Sequence, residues 1–145
     1  MRKMFDGDNT KANEFLFRRV DVEDAVSAHF LALERAPEIG FDRFIISATT
    51  PFEIEDLAEL RTNAPAAVRR RYPNFEEIFE RRGWRMFPTI DRVYVNNKAR
   101  DQLGWRPNYD FNRVLNQIDA GEGLGSELAR KVGIKGYHSE QFAEG

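Results

Sequence analysis

The chain has 145 residues, 41% of them hydrophobic and 32% charged, with a formal net charge of −2. That suits one domain with its own core and leaves no whole-chain basic footprint for nucleic acid or an anionic membrane. The sequence contains no cysteine, which excludes disulfides, zinc–thiolate sites and cysteine nucleophiles, and its two histidines, His29 and His138, are too few for a histidine-based metal centre.

The stretch 1–14 is polar, carries Asp6 and Asp8, and reads as an N-terminal extension rather than a signal peptide. No apolar run approaches the roughly 20 residues that span a bilayer. With the lack of cysteine, this sets the expectation of a reducing cytoplasm and no membrane. Phe15 to Val22, rich in Phe, Leu and Val, predicts a strand. Asp21, Glu23 and Asp24 then suit a helix start, where acids face unpaired amides and the positive dipole end. They read as cap acids rather than catalytic carboxylates. Val22, Val26, His29 or Phe30, and Leu33 recur at helical spacing on one face, predicting a helix to about Ala36 closed by Pro37 and Gly40.

Asp42 to Ala48, with the apolar run Phe44 to Ile46, predicts a second strand. Its run of apolar residues does not alternate, which predicts cover on both faces, as in a parallel sheet. Thr50, Pro51 and Glu53 predict a capped helix through Leu57 to about Arg61. Short helices are expected over 64–71 and 75–82, the latter stopped by Gly83. A third strand is expected over Arg92 to Val95. Helices follow from Asn97 to Leu103, stopped by Gly104, and from Asp110 through Ile118. The tail 121–145 holds one short helix, Ser126 to Val132. Three strands are few for a free-standing parallel sheet, so the expected class is α/β with an incomplete sheet.

Two stretches carry a family signal. Arg18-Arg19-Val20-Asp21-Val22-Glu23-Asp24-Ala25-Val26-Ser27-Ala28-His29 resembles the valine–acid–acid–alanine–histidine segment that opens a helix in extended short-chain dehydrogenases. Asn96-Asn97-Lys98-Ala99-Arg100-Asp101-Gln102-Leu103-Gly104-Trp105-Arg106-Pro107 resembles the S-K-A…L-G-W-x-P signature of the same family. Taken with Phe44 to Leu60 between them, residues 15–120 resemble the C-terminal, substrate-side part of a nucleotide-sugar epimerase/dehydratase. The resemblance implies the C-terminal portion of a Rossmann fold, with about three strands and their helices.

What the family does chemically lies elsewhere in its chain. Its members bind NAD(P) on a glycine-rich strand-to-helix turn and react through a Tyr-x-x-x-Lys helix. No such glycine fingerprint occurs here. Tyr94 and Lys98 have the Tyr-x-x-x-Lys spacing, but Tyr94 falls in an expected strand, whereas the true pair shares one helix. No catalytic, cofactor-binding or metal-ligating residue is therefore expected in this chain. The resemblance instead implies substrate-binding arginines. Arg85 stands near the position of a diphosphate-binding arginine, with Pro88 where the family has an acid. Arg18 and Arg19 stand beside Phe17, which occupies the place of another. A guanidinium suits phosphate oxygens because it binds them bidentately. Residues 61–92 hold eight arginines against four acids, but Arg69, Arg70 and Arg71 cannot all face one ligand and read as solvated helix surface.

The expected function is thus the substrate-binding portion of an NAD(P)-dependent nucleotide-sugar epimerase, dehydratase or related reductase, not catalytic alone. It would bind no cofactor by itself and would need the N-terminal Rossmann half or a partner chain that supplies NAD(P). A homodimer stays open. The alternatives are a non-catalytic protein-binding or regulatory module derived from that fold, or a truncated open reading frame.

Overall fold

The computed structural model describes residues 7–132. Their regular elements are α1 (Gly7–Glu14), α2 (Val22–Ile39), a 3-10 turn (Ile54–Asp56) leading into α3 (Leu57–Arg71), α4 (Phe75–Glu80), α5 (Asn97–Leu103), α6 (Phe111–Asp119) and α7 (Glu127–Val132). The helices follow the expected order, but the sheet is absent. The α/β class with about three strands in an incomplete parallel sheet is corrected: no strand is formed among the described residues.

Each expected strand fails for a local reason. In Phe15 to Val22 the amides are already engaged. Phe15 N–H donates to Lys11 O, Leu16 N–H to Asn13 O, and Phe17, Arg18 and Arg19 N–H to Glu14 O, so the chain leaves α1 as turns. Residues 44–48 and 92–95 meet that segment through isolated bonds, Ala48 N–H to Arg19 O at 2.7 Å and Tyr94 N–H to Phe17 O at 2.8 Å. A parallel ladder needs such bonds at even intervals. The run over 44–46 is not covered on both sides either: Phe44 and Ile46 pack inward while Ile45 is 50% exposed.

Local signals set most helix ends. Asp21 accepts a hydrogen bond from Glu23 N–H and starts α2, and Asp110 accepts one from Arg113 N–H and starts α6. Gly104 ends α5 at φ 68°, a left-handed position that costs glycine nothing. The capping box forms three residues later than expected, between Glu53 and Asp56 rather than Thr50 and Glu53. α3 breaks at Asn63 (φ −153°, ψ 72°), whose side-chain oxygen accepts from Ala66 N–H and caps the second half. The two helices expected on either side of residue 63 are therefore the two halves of α3. The stretch 1–14, expected as a polar extension, contains α1, in which Asn9, Ala12 and Asn13 are buried.

Two apolar clusters hold these pieces. The larger joins Phe15 and Leu16 to α3, α4 and α6, with Tyr72–Phe111, Phe75–Phe79 and Phe79–Trp84 in edge-to-face contact at 5.0–5.8 Å. The smaller joins Ala28 of α2 to Ala99, Leu103 and Trp105, with Leu31, Ala32, Phe44 and Ile46 packed against it. The stripe Val22, Val26, Phe30 and Leu33, read from its spacing as one face of α2, lies mostly toward solvent: Val26, Phe30 and Leu33 are exposed and Val22 is half-buried. Among the described residues no helix is long and apolar enough to cross a membrane.

Candidate functional site

The two signature segments, some 80 positions apart, meet in one joint. The Asp24 carboxylate, on the first turn of α2, accepts from Asn108 N–H at 2.8 Å and Tyr109 N–H at 2.9 Å. The Trp105 indole N–H returns to Asp24 O and Ser27 Oγ, each at 3.1 Å. Trp105 is fully buried because Gly104 turns the chain back onto α2. Burial pushes the Asp24 carboxyl above its usual range, against the lowering effect of the two amides.

Asp21 makes a second joint. Besides capping α2, it accepts from Ser126 N–H at 2.8 Å and from Ser126 Oγ–H at 2.6 Å, tying the start of α7 to the start of α2. Both carboxylates are used up in holding chain to chain, which fits cap and anchor roles rather than acid–base chemistry.

The three arginines assigned to substrate are not brought together. Arg85 borders a cleft of about 410 Å³ floored by Phe75, Phe79, Trp84 and Met86 and rimmed by Glu76 and Glu80. Its side chain is exposed, while its carbonyl is fixed by the fully buried Asn13, which also accepts from Phe87 N–H. Arg69 pairs with Glu76 and holds that carboxyl below its usual range, while Glu80 also lines the cleft. Pro88 gives its carbonyl to Ala64 N–H and offers no acid to a ribose.

Arg18 lies in a different cleft, of about 320 Å³, beside Asp91, Arg92 and Tyr94. Arg19 lies in a third, beside Lys11, Asp21 and Arg130. Both arginines pair with Glu14 and stack over rings, Arg18 over Phe17 and Arg19 over Phe15. The arginine run has structural work of its own. Arg70 and Arg71 clamp the buried Asp56 at 2.9 and 2.8 Å, and Arg70 also pairs with Glu59.

Tyr94 and Lys98 do not share a helix. Tyr94 precedes α5, whereas Lys98 sits on its first turn, paired with Asp42 and bonded to Arg43 O. His29 is exposed and donates from Nδ1 to Ala25 O at 2.7 Å. No group of acidic or histidine side chains among the described residues is arranged to hold a metal ion. His138, Gly136 and Tyr137 lie outside the described residues.

The sequence reading missed Asp24 as a clamp, Ser126 as the partner of Asp21, Asn13 as the bridge to 85–87, and Asp56 as the ion-pair centre. None of these has a local signal, because each partner is fourteen or more positions away. No family model, curated protein or solved structure matches the chain.

Proposed function

We propose that this chain serves as the substrate-side portion of a nucleotide-sugar enzyme, completed by a partner that holds NAD(P). The observation that carries this reading is the joint at Asp24 and Trp105. The two segments resembling the family's signatures touch through the Trp105 indole of the second, which donates to Asp24 O and Ser27 Oγ of the first, while Asp24 binds the two amides that follow the second. Chance matches to two short motifs have no reason to meet in space. The reading rests on the signatures and not on a sheet.

Within it, the Arg85 cleft is the place for the nucleotide diphosphate: an exposed guanidinium beside an aromatic floor of Phe75, Phe79 and Trp84. Arg18 and Arg19, held by Glu14 in other clefts, are packing groups rather than partners of Arg85 in one site. Hydride chemistry would fall to the partner's nicotinamide, since reaction needs that ring positioned against the sugar.

The test is a titration of UDP-glucose into the labelled chain, followed by amide NMR. Shifts confined to residues 75–86, with affinity on the order of millimolar, are expected, and Arg85→Ala should abolish them. A spectrum unmoved by UDP-glucose, or shifts that persist in the alanine variant, removes this cleft as the nucleotide site.

A second reading, a protein-binding module without a small-molecule site, is favoured by the exposed apolar stripe of α2. It predicts silence to UDP-glucose together with partner binding through that helix.

A further inference from the structure

α2 is apolar on two opposite sides. At about 100° per residue, Asp24, Ala28, Leu31 and Ala32 fall on one side and face the smaller cluster. Val26, Leu33 and Phe30 fall roughly opposite, and their exposures are 42%, 72% and 65%. Of the helix's 18 residues only Asp24 and Ala28 are buried. A helix apolar on two opposite sides has a face for each of two layers, and here one layer is supplied.

The border of the outer stripe has a sign. Glu23 and Glu34 are exposed and lie beside Phe30 on the same flank, with Glu34 one turn after it. The opposite flank carries Ala25, His29 and Ala36, without a carboxylate. The stripe is therefore an apolar strip with one acidic edge.

We infer that the outer stripe of α2 docks a protein partner that presents an apolar helix face bordered by lysine or arginine. The acidic edge argues against an antiparallel second copy. Two α2 helices paired antiparallel about a two-fold axis bring Glu23 and Glu34 of one along the same flank of the other, like charge against like charge. The same edge disfavours an anionic membrane surface. A basic border answers both glutamates and leaves Val26, Phe30 and Leu33 to be covered. α2 carries this face whether or not the chain serves a nucleotide-sugar enzyme.

The full chain can be titrated with two synthetic helical peptides, a leucine stripe flanked by lysines and the same stripe flanked by glutamates, with binding read by fluorescence anisotropy. The lysine peptide should bind at least tenfold tighter than the glutamate peptide. Phe30→Glu with Leu33→Glu should weaken it at least tenfold. Both side chains are already largely in water, so that variant should keep its far-UV circular dichroism and melting temperature. Glu23→Lys with Glu34→Lys should invert the peptide preference.

Equal binding of the two peptides, or no binding of either, overturns the inference. So does a wild-type dimer in sedimentation that Phe30→Glu dissociates, which would make a second copy the occupant. Adsorption to phosphatidylcholine vesicles lost in the same variant would assign the face to lipid and overturn it equally.

Discussion

Asp56→Asn removes one charge from a buried carboxylate held by three hydrogen bonds. Asp56 is 5% exposed and accepts from Glu53 N–H at 2.9 Å, Arg70 at 2.9 Å and Arg71 at 2.8 Å. Burial alone would raise its pKa, but the amide and the two guanidiniums outweigh it and hold the group at about 2 against an ordinary 3.8. That depression corresponds to about 2.5 kcal/mol at neutral pH. Because Arg70 and Arg71 are themselves substantially exposed, solvent screening reduces the expected effect to about 2 kcal/mol. The folded-state value lies below the unfolded one. The contribution is therefore complete above the unfolded value of 3.8 and disappears as pH falls through about 2. Urea denaturation followed by circular dichroism should give the asparagine variant a deficit of about 2 kcal/mol near neutral pH, closing towards about pH 2. A deficit independent of pH, or one under about 0.5 kcal/mol at neutrality, would refute the assignment of Asp56 as the charged centre joining the 3-10 turn to the end of α3.

Two further substitutions test the joints. Trp105→Phe keeps the buried ring but loses the indole donor to Asp24 O and Ser27 Oγ, and should cost about 1–2 kcal/mol in chemical denaturation. Ser27→Ala should cost less in that background than alone, and strict additivity would deny the Ser27–Trp105 bond. Gly125→Ala places a Cβ 2.5 Å from Asp21 Oδ2 at φ +77°, whereas Gly121→Ala meets open space at φ +75°. The second should cost about 1 kcal/mol from backbone strain alone, and the first clearly more. Equal losses in thermal melts would mean that the loop before α7 is not pressed against Asp21.

What the sequence disclosed was governed by how far apart the interacting groups lie. As helix boundaries, Asp21, Asp110 and Gly104 act within four residues of themselves, and each was legible in that role. A strand is different, since it exists only if another segment lines up beside it. The apolar runs at Phe15, Phe44 and Val93 look alike whether they build a ladder or only pack some of their side chains against helices, and here they do the latter. The arginines show the same limit at the candidate site. Arg85 sits near one position where the resemblance implies a phosphate ligand, and Arg18 and Arg19 sit beside another, yet three clefts divide them, with the first two paired to Glu14 of α1. Asp24 was recognised as an acid at a helix start, but its work is done 84 and 85 positions away.

The expectation that something is missing from this chain was drawn from an underfilled sheet, and with no sheet that argument falls. The helices supply a different one, and it can be examined on the isolated chain. Helices draw most of their stability from a packed face rather than from intrinsic propensity. α2 gains its share from Ala28, Leu31 and Ala32 against Trp105 and Leu103. Phe30 and Leu33 contribute little to that, being largely in water, so removing them should leave the isolated chain as stable as before, whereas truncating the fully buried Leu103 to alanine should cost about 2–5 kcal/mol. A helix that can lose two large apolar side chains without losing stability leaves them free for the outside contact inferred above. The acidic edge at Glu23 and Glu34 then selects what can make that contact.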